Sequence, residues 1–162
     1  MFNSELTQKL TKLKTPFYFY DLDLLDKTIL SLKESLDPNY SVYYAIKANN
    51  NSKIIKLIND HNLGIDAVSG EEINKSLNYK INPKKIVFAG VGKTKEEIIL
   101  AIKKKIYLFN CESFDEVKLI DKISNELNVT TEIAIRLNPN IDSRTHKYIK
   151  TGMFDTKFGI QI

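Results

Sequence analysis

The lysine at position 47 has the placement in this sequence that most directly suggests covalent chemistry. Lys47 immediately follows the apolar, strand-like run Val42–Ile46. Charged side chains seldom lie beside a buried strand unless they are paired or functional. A partly desolvated lysine holds its proton less tightly, and its free amine can attack an aldehyde. The alternative is a lysine whose stem packs on the strand end while its ammonium reaches water, and the residues alone leave both interpretations open.

Two more charged residues lie in or beside apolar runs. Asp66 interrupts the run Ile65–Val68, where a strand-end carboxylate would balance the charge of a lysine, although an aspartate there could instead cap a helix. Arg136 is one of only two arginines and lies within the run Glu132–Leu137. A buried arginine needs a partner, which would be either a bound ligand or a structural ion pair.

The glycine-rich tract Gly90-Val91-Gly92-Lys93-Thr94 resembles a phosphate-binding loop but fails its spacing rule. That loop has a glycine, four residues and then Gly-Lys-Ser/Thr, and the position that needs the first glycine is Val87. The two glycines therefore predict a tight turn between strand and helix, with Thr94 as the helix N-cap. Ser69 is predicted to cap a helix in the same way.

The single cysteine and the two histidines do not indicate a metal site. Cys111 follows an apolar run and is predicted to be a small structural residue, and no internal disulfide is possible. His61 lies in a predicted helix and His146 in a predicted loop, where a substrate contact and an ordinary loop histidine are both open. Two separated histidines without clustered acids or cysteines predict no bound metal.

The elements that must position these residues form a repeating βα pattern. Short apolar runs alternate with amphipathic segments, at a run-to-run spacing of roughly 20–26 residues, which is typical of consecutive βα units. The predicted strands are 42–46, 65–68, 86–89, 106–109 and 132–137, with a sixth beginning at Lys157, and the predicted helices are 52–61, 70–78, 94–104 and 113–127. This periodicity does not separate a doubly wound sheet from part of an eight-stranded barrel.

Residues 1–36 are predicted to form a leading segment before residues 37–162, which hold the βα units. The leading segment is expected to contain a helix over 5–14, a short aromatic strand over 17–20 and a second helix capped by Asp21. The turn Asp37-Pro38-Asn39 separates the two parts.

Motifs in a consistent order give the chain a specific resemblance. Tyr44–Asn49 resembles the cofactor-lysine motif of the barrel-fold pyridoxal-phosphate decarboxylases that act on diaminopimelate, ornithine and arginine. Further tracts of the same family match in order, and they cover nearly the whole chain: Thr15–Asp21, Gly64–Glu72, Val87–Thr94, Phe109–Ser113, Ile135–Pro139, Thr145–Gly152 and Lys157–Ile160. The Arg-Leu-Asn-Pro and Thr-His…Thr-Gly tracts most resemble the branch that acts on diaminopimelate.

The resemblance implies an α/β fold, a partial (β/α)8 TIM barrel of the alanine-racemase-like type with about five to six of its eight units. It implies that pyridoxal 5′-phosphate is bound, with Lys47 as the catalytic residue that forms a Schiff base and with Asp66 and Arg136 beside the cofactor. The implied activity is decarboxylation of meso-diaminopimelate to L-lysine in lysine biosynthesis, by a homodimer in the intact enzyme. Decarboxylation of ornithine or arginine, a more remote alanine racemase, a non-catalytic cofactor-binding protein, and a generic α/β domain are the alternatives.

Composition excludes several classes of partner. The chain of 162 residues carries a net charge of +4, almost all of it from scattered lysines, which predicts a solvated surface rather than a nucleic-acid interface. The sequence has neither an apolar run long enough to span a membrane nor a signal peptide, so a cytoplasmic location is expected. Because the chain ends in a strand-like run before the family's β-rich C-terminal domain, we expect an N-terminal fragment that is inactive alone.

Overall fold

The computed structural model describes residues 4–140 and 158–161, and the chain divides into two compact units, residues 1–36 and 37–162. In the first unit, helix α1 spans Ser4–Leu10 and helix α2 spans Leu22–Ser35. The Asp21 carboxylate accepts a hydrogen bond of 2.9 Å from the Leu24 amide, as predicted for a helix N-cap.

The predicted aromatic strand in the first unit is wrong. Phe17–Tyr20 is assigned no strand, and all four aromatic side chains are exposed, Tyr18 by 89%. Aromatic residues favour strands because they pack against neighbours across a sheet. These four residues form no hydrogen-bonded ladder with another strand. Their strand propensity alone therefore does not produce a strand.

The second unit is built from parallel strands that alternate with helices, as the spacing predicts. The strands are β1 Tyr43–Ala45, β2 Gly64–Ala67, β3 Ile86–Phe88, β4 Leu108–Cys111, β5 Ile133–Ile135, β6 Leu137–Asn138 and β7 Ile160–Gln161. The helices between them are α3 Ser52–Asp60, α4 Gly70–Asn78, α5 Lys95–Lys103 and α6 Phe114–Glu126. Observed bounds lie within about two residues of the predicted ones, the ordinary uncertainty of element ends.

The strand order distinguishes between the two folds that the periodicity left open. The first five strands pair in parallel in the order β1-β2-β3-β4-β5, so each strand lies beside its predecessor in the chain. A doubly wound sheet reverses direction at a switch point. Among the described strands the order never reverses, and the fold is therefore the partial (β/α)8 barrel.

The fifth strand bends at Arg136 and so contacts two neighbours. β5 pairs with β4 through Cys111 and Ile135, whereas β6, one residue further along, pairs with β7. The Arg136 amide still donates to the Cys111 carbonyl, while its own carbonyl accepts from Ile160. The predicted sixth strand thus forms, and it continues the parallel arrangement.

The core lies on the face of the sheet that packs against the helices. Alternate side chains of a strand point to opposite faces. Ile65, Ala67, Ile86, Phe88 and Phe109 are fully buried, and the apolar side chains of α3, Ile54, Ile55 and Ile58, are buried as well. Gly64 and Asp66 lie on the opposite face of β2, the face where the polar side chains of the sheet can gather.

Three successive helices begin with the same arrangement of a hydroxyl residue followed three positions later by glutamate. Ser69, Thr94 and Ser113 are the N-caps of α4, α5 and α6, and each hydroxyl accepts from the amide of that glutamate, which is Glu72, Glu97 or Glu116. The predicted caps at Ser69 and Thr94 are confirmed. None of the described helices is long and apolar enough to cross a membrane.

Candidate active site

A cleft of about 360 Å³ lies at the carboxyl ends of the strands. This end of a β/α barrel is where active sites are found. The residues that line the cleft come from five successive strand ends and from the segment before β7: Lys47, Asp66, Val68, Ala89, Gly90, Asn110, Glu112, Ile135, Arg136 and Phe158. All three residues predicted for the site, Lys47, Asp66 and Arg136, therefore line one cleft.

Lys47 reaches this cleft from a short turn that follows β1. The chain leaves β1 at Ala45 and forms one turn of 3₁₀ helix over Ile46–Ala48. Ile46 is fully buried and anchors the turn, while Lys47 is exposed. The Tyr44 hydroxyl donates to the Asn49 carbonyl at 2.9 Å and closes the turn from behind. The turn therefore holds the lysine backbone firmly and leaves its amine accessible.

Asp66 lies beside this turn, in the middle of β2 rather than at a helix N-terminus. Its parallel-strand partners are Ala45, two residues before Lys47, and Val87. The oxygen Oδ1 is buried and has no hydrogen-bond partner among the described residues. The helix-capping alternative for Asp66 is wrong, because Ser69 caps the helix that follows.

Burial governs the charge state of this carboxyl. Loss of hydration raises the pKa of Asp66 above its ordinary value, while the positive charges of Lys47 and Lys93 oppose that rise. Buried polar atoms are nearly always hydrogen-bonded in proteins. An acceptor left without a partner in a cleft indicates space for a donor or a cationic group from a ligand.

Arg136 forms an ion pair across the bend between β5 and β6. Its Nη1 atom lies 3.1 Å from Oε1 of Glu112, and its guanidinium lies over the ring of Phe158, 4.8 Å from the centroid. The other Glu112 oxygen accepts from the Gly159 amide at 2.9 Å. The expectation of a buried arginine is wrong, since 42% of the Arg136 side chain is exposed and the buried partner is Glu112 at 5%. Arg136 is also one of the residues that line the cleft.

Lys93, like Glu112, is a charged residue of this region whose role the sequence did not indicate. Its ammonium donates to the carbonyls of Gly90 and Asn110, at 2.7 and 2.8 Å, and to Oε1 of Glu116 at 2.6 Å. Only 1% of the side chain is exposed. The tight turn predicted around Gly90 is present, with φ of 101°, a conformation that favours glycine. The turn directs Lys93 inward. In the sequence, the residue that could have indicated this is Glu116, the glutamate of the third capping pattern, because it is the ion-pair partner of Lys93.

Cys111 is fully buried at the end of β4, as expected of a structural residue. Burial, with the negative charge of Glu116 adding to it, raises the pKa of its thiol to about 11. A thiol in that state is not a nucleophile near neutral pH. The tract Thr145–Gly152, with His146, and Lys157 lie outside the described residues.

The part of the chain that builds this barrel end has counterparts among known proteins. A profile described as pyridoxal-dependent decarboxylase, pyridoxal binding domain, matches residues 22–162. The chain belongs to this family. The profile covers all of the strands and every helix except α1. The cofactor that this family match indicates is pyridoxal phosphate.

Individual members of the family are closely similar to this chain. A diaminopimelate decarboxylase of Helicobacter pylori strain J99 is 44% identical over 162 residues, which are 99% of this chain and 40% of the relative. The enzyme of the same name from Campylobacter jejuni is 41% identical over 91% of this chain and 37% of its own length. A crystal structure of the H. pylori enzyme complexed with L-lysine has a TM-score of 0.89 at 43% identity, over 96% of this chain and 40% of that one. The chain thus spans about two fifths of the relatives that it matches.

The residues that line the cleft fit this cofactor in two respects. Lys47 offers an accessible amine to the aldehyde group, and Asp66 offers a buried, unpaired oxygen to a cationic or hydrogen-bond-donating group. The cleft volume of about 360 Å³ lies in the range of small-molecule sites. A phosphate needs several backbone or cationic donors, and among the cleft residues Arg136 is the one that brings a guanidinium.

Proposed function

We propose that this chain is part of a pyridoxal-phosphate-dependent decarboxylase that converts meso-diaminopimelate to L-lysine and carbon dioxide. The observation that carries the proposal is the position of Lys47, an exposed amine on a rigid turn beside the buried, unpaired oxygen of Asp66. The substrate assignment is supported by relatives of more than 40% identity that carry the name diaminopimelate decarboxylase. Lysine biosynthesis is the process that this product indicates.

Each cleft residue has a distinct part in the proposal. Lys47 attaches the cofactor aldehyde through its amine and afterwards holds or returns a proton at Nζ. The Asp66 carboxylate places a negative charge where the bound group is cationic, which stabilises that charge more strongly in a cleft than in water. Arg136, fixed by Glu112, presents its exposed side to the acidic groups of cofactor or substrate. The bound cofactor supplies the electron sink that makes loss of carbon dioxide feasible.

Covalent capture of the cofactor tests the role of Lys47 directly. The longest open reading frame that contains this sequence is expressed, and the protein is mixed with pyridoxal phosphate. We expect a visible absorption band, and borohydride should then fix the cofactor on the peptide that contains Lys47. Lys47→Ala should abolish the band, whereas Lys53→Ala, which removes an exposed lysine from the next helix, should leave it unchanged. Stable labelling of another lysine while Lys47 stays free would overturn the assignment.

The substrate is tested separately, with the same protein. We expect carbon dioxide release from meso-diaminopimelate to exceed release from ornithine or arginine by at least about a hundredfold, because discrimination by paired polar groups is strong. Cofactor capture without release from any of the three amino acids would favour the non-catalytic alternative. A clear preference for ornithine or arginine would keep the enzyme class and replace the substrate.

The family resemblance also indicates a cellular location and an oligomeric state. We propose a cytoplasmic homodimer, on the basis of the family resemblance and of a single cysteine that is buried and cannot form an internal disulfide. Sedimentation of the complete protein tests the dimer. A monomer at micromolar concentration that retains full activity would contradict it.

A further inference from the structure

The ammonium of Lys93 is the most deeply buried charge of the described cleft region, and the proposed chemistry does not use it. A buried lysine is tolerated only when its donors are satisfied. All three of its N–H donors have an acceptor within 2.8 Å: the carbonyls of Gly90 and Asn110 and the carboxylate of Glu116. The ammonium also lies 5.4 Å from the centroid of the Phe88 ring. A lysine with all three donors satisfied and its side chain buried is part of the packed structure, and not a surface side chain that folds back by chance.

The three acceptors belong to separate segments that each lead to a cleft residue. Gly90 follows β3 and lines the cleft, and Asn110 in β4 lines it as well. Glu116 lies in the first turn of α6, and its second oxygen accepts from the amide of Glu112 at 2.9 Å. Glu112 in turn holds Arg136. One ammonium therefore ties two strand ends together and, through Glu116, supports the residue that fixes the arginine.

Lys93 also lies close enough to Asp66 to influence its charge. Its ammonium is bound to Gly90 and Asn110, which line the same cleft as Asp66. Among the described residues, the positive charges of Lys47, in the turn after β1, and of Lys93, between β3 and α5, both favour the ionised form of that carboxyl. Glu112, which follows β4, and Arg136 line the same cleft as an ion pair whose charges offset each other, and the carboxylate of Glu116 partly offsets the charge of Lys93. Of these two cations among the described residues, Lys47 is the one that would bind the cofactor, whereas Lys93 keeps the same partners in the fold.

We propose that Lys93 is a positioning residue of the cleft: through Gly90, Asn110 and Glu116 it holds the ends of β3 and β4 together, and it places a buried positive charge behind the cleft that Asp66 lines. The inference deepens the proposed function and rests on it for the identity of the cofactor. The charge of Lys93 is present with or without cofactor, so a titration of Asp66 in cofactor-free protein tests Lys93 independently of the proposed function.

The test compares four proteins: wild type, Lys93→Met, Lys93→Arg and the control Lys95→Met, which changes an exposed lysine two residues away. The carboxyl carbon of Asp66 is titrated by NMR without cofactor, and affinity for pyridoxal phosphate is then measured from the absorption band. We expect Lys93→Met to move the Asp66 midpoint to higher pH and to weaken cofactor affinity at least tenfold. Lys93→Arg keeps the positive charge and should therefore keep the wild-type midpoint of Asp66. Lys95→Met should match wild type in both the midpoint and the affinity.

Each outcome decides the proposal. A folded Lys93→Met protein with the wild-type midpoint and affinity would overturn it, and a changed affinity with an unchanged midpoint would overturn the charge role. If Lys93→Met does not fold, Glu116→Gln replaces it, since this change leaves the ammonium unopposed and should move the Asp66 midpoint to lower pH; an unchanged midpoint would refute the inference. Wild-type protein that fails to capture cofactor on Lys47 refutes the proposed function instead, while the titration still tests Lys93.

Discussion

Replacement of Asp66 by asparagine should make the protein more stable while it weakens cofactor binding. The wild-type carboxylate has a buried oxygen without a partner among the described residues, and its pKa is raised chiefly by burial. The asparagine side chain is neutral and has nearly the same shape, so Asp66→Asn removes the cost of holding a poorly hydrated charge. A cofactor that needs this charge would bind the variant poorly. Such an exchange of function for stability is common when a functional residue is itself destabilising.

The magnitude follows from the surroundings of the carboxyl. Desolvation of an ionised group costs several kcal/mol when its burial is complete, whereas a neutral amide of the same shape loses much less. Asp66 is only partly buried, and the charges of Lys47 and Lys93 favour its ionised form, so the gain from Asp66→Asn should be no more than about 1 kcal/mol. Cofactor affinity should fall at least tenfold, because the neutral amide no longer attracts the cationic group of the cofactor. A tenfold change corresponds to about 1.4 kcal/mol.

The pH dependence gives the sharper criterion. The folded-state pKa of Asp66 lies above its ordinary value of 3.8, so folded protein binds more protons than unfolded protein between the two values. This contribution to stability is complete below the ordinary pKa and is lost as pH rises through the folded value. The advantage of Asp66→Asn should therefore be absent near pH 3 and fully developed near pH 7.

Urea unfolding at several pH values, followed by circular dichroism, measures this difference. Asp121→Asn, a change at an exposed position of α6, serves as the control and should show no such dependence. A variant that is less stable than wild type at neutral pH, or one with the same advantage in acid as at neutral pH, would refute the reasoning about a desolvated carboxylate.

Three further predictions concern the scaffold. Because the pKa of the Cys111 thiol is raised to about 11, a disulfide reagent at mildly alkaline pH should leave it unmodified in native protein and label it fully in urea, and stoichiometric native labelling would contradict this. Ser113→Ala should cost about 1 kcal/mol of unfolding free energy through loss of the α6 cap, whereas Ser113→Thr should cost much less. Gly64→Ala should cost about 1–3 kcal/mol, because the new methyl would overlap the Tyr43 ring and lie 2.9 Å from the Lys85 carbonyl oxygen; adding Tyr43→Ala should recover only part of the loss, and full recovery would show that the backbone contact is harmless.

The repeating units and the position of Lys47 were predictable because both depend on local pattern. Continuous apolar runs indicate buried parallel strands, and cap residues mark where helices begin. The family motif placed Lys47 at a strand end, and β1 and the turn after it confirm that placement. The bend at Arg136 was not predicted, since nothing in a single apolar run shows that its halves pair with different strands.

Lys93 and Glu112 were missed for a different physical reason. Their roles come from contacts between residues that are 23 and 24 positions apart, Lys93 with Glu116 and Glu112 with Arg136. Such pairs form only when neighbouring barrel units are stacked, so no local pattern reports them. The aromatic run over 17–20 shows the reverse error, a strong local propensity that finds no partner strand.

Two of the three glutamates that begin the helices also link neighbouring units of the barrel. Glu97 at the start of α5 accepts from the Gly70 amide at the start of α4, and Glu116 at the start of α6 holds Lys93 in the segment before α5. Each link joins one unit to the one before it, as in solenoid repeats, whose stability is nearly a sum of neighbour terms. Because each of these links needs only two consecutive units, we expect it to form without the units that come later in the chain.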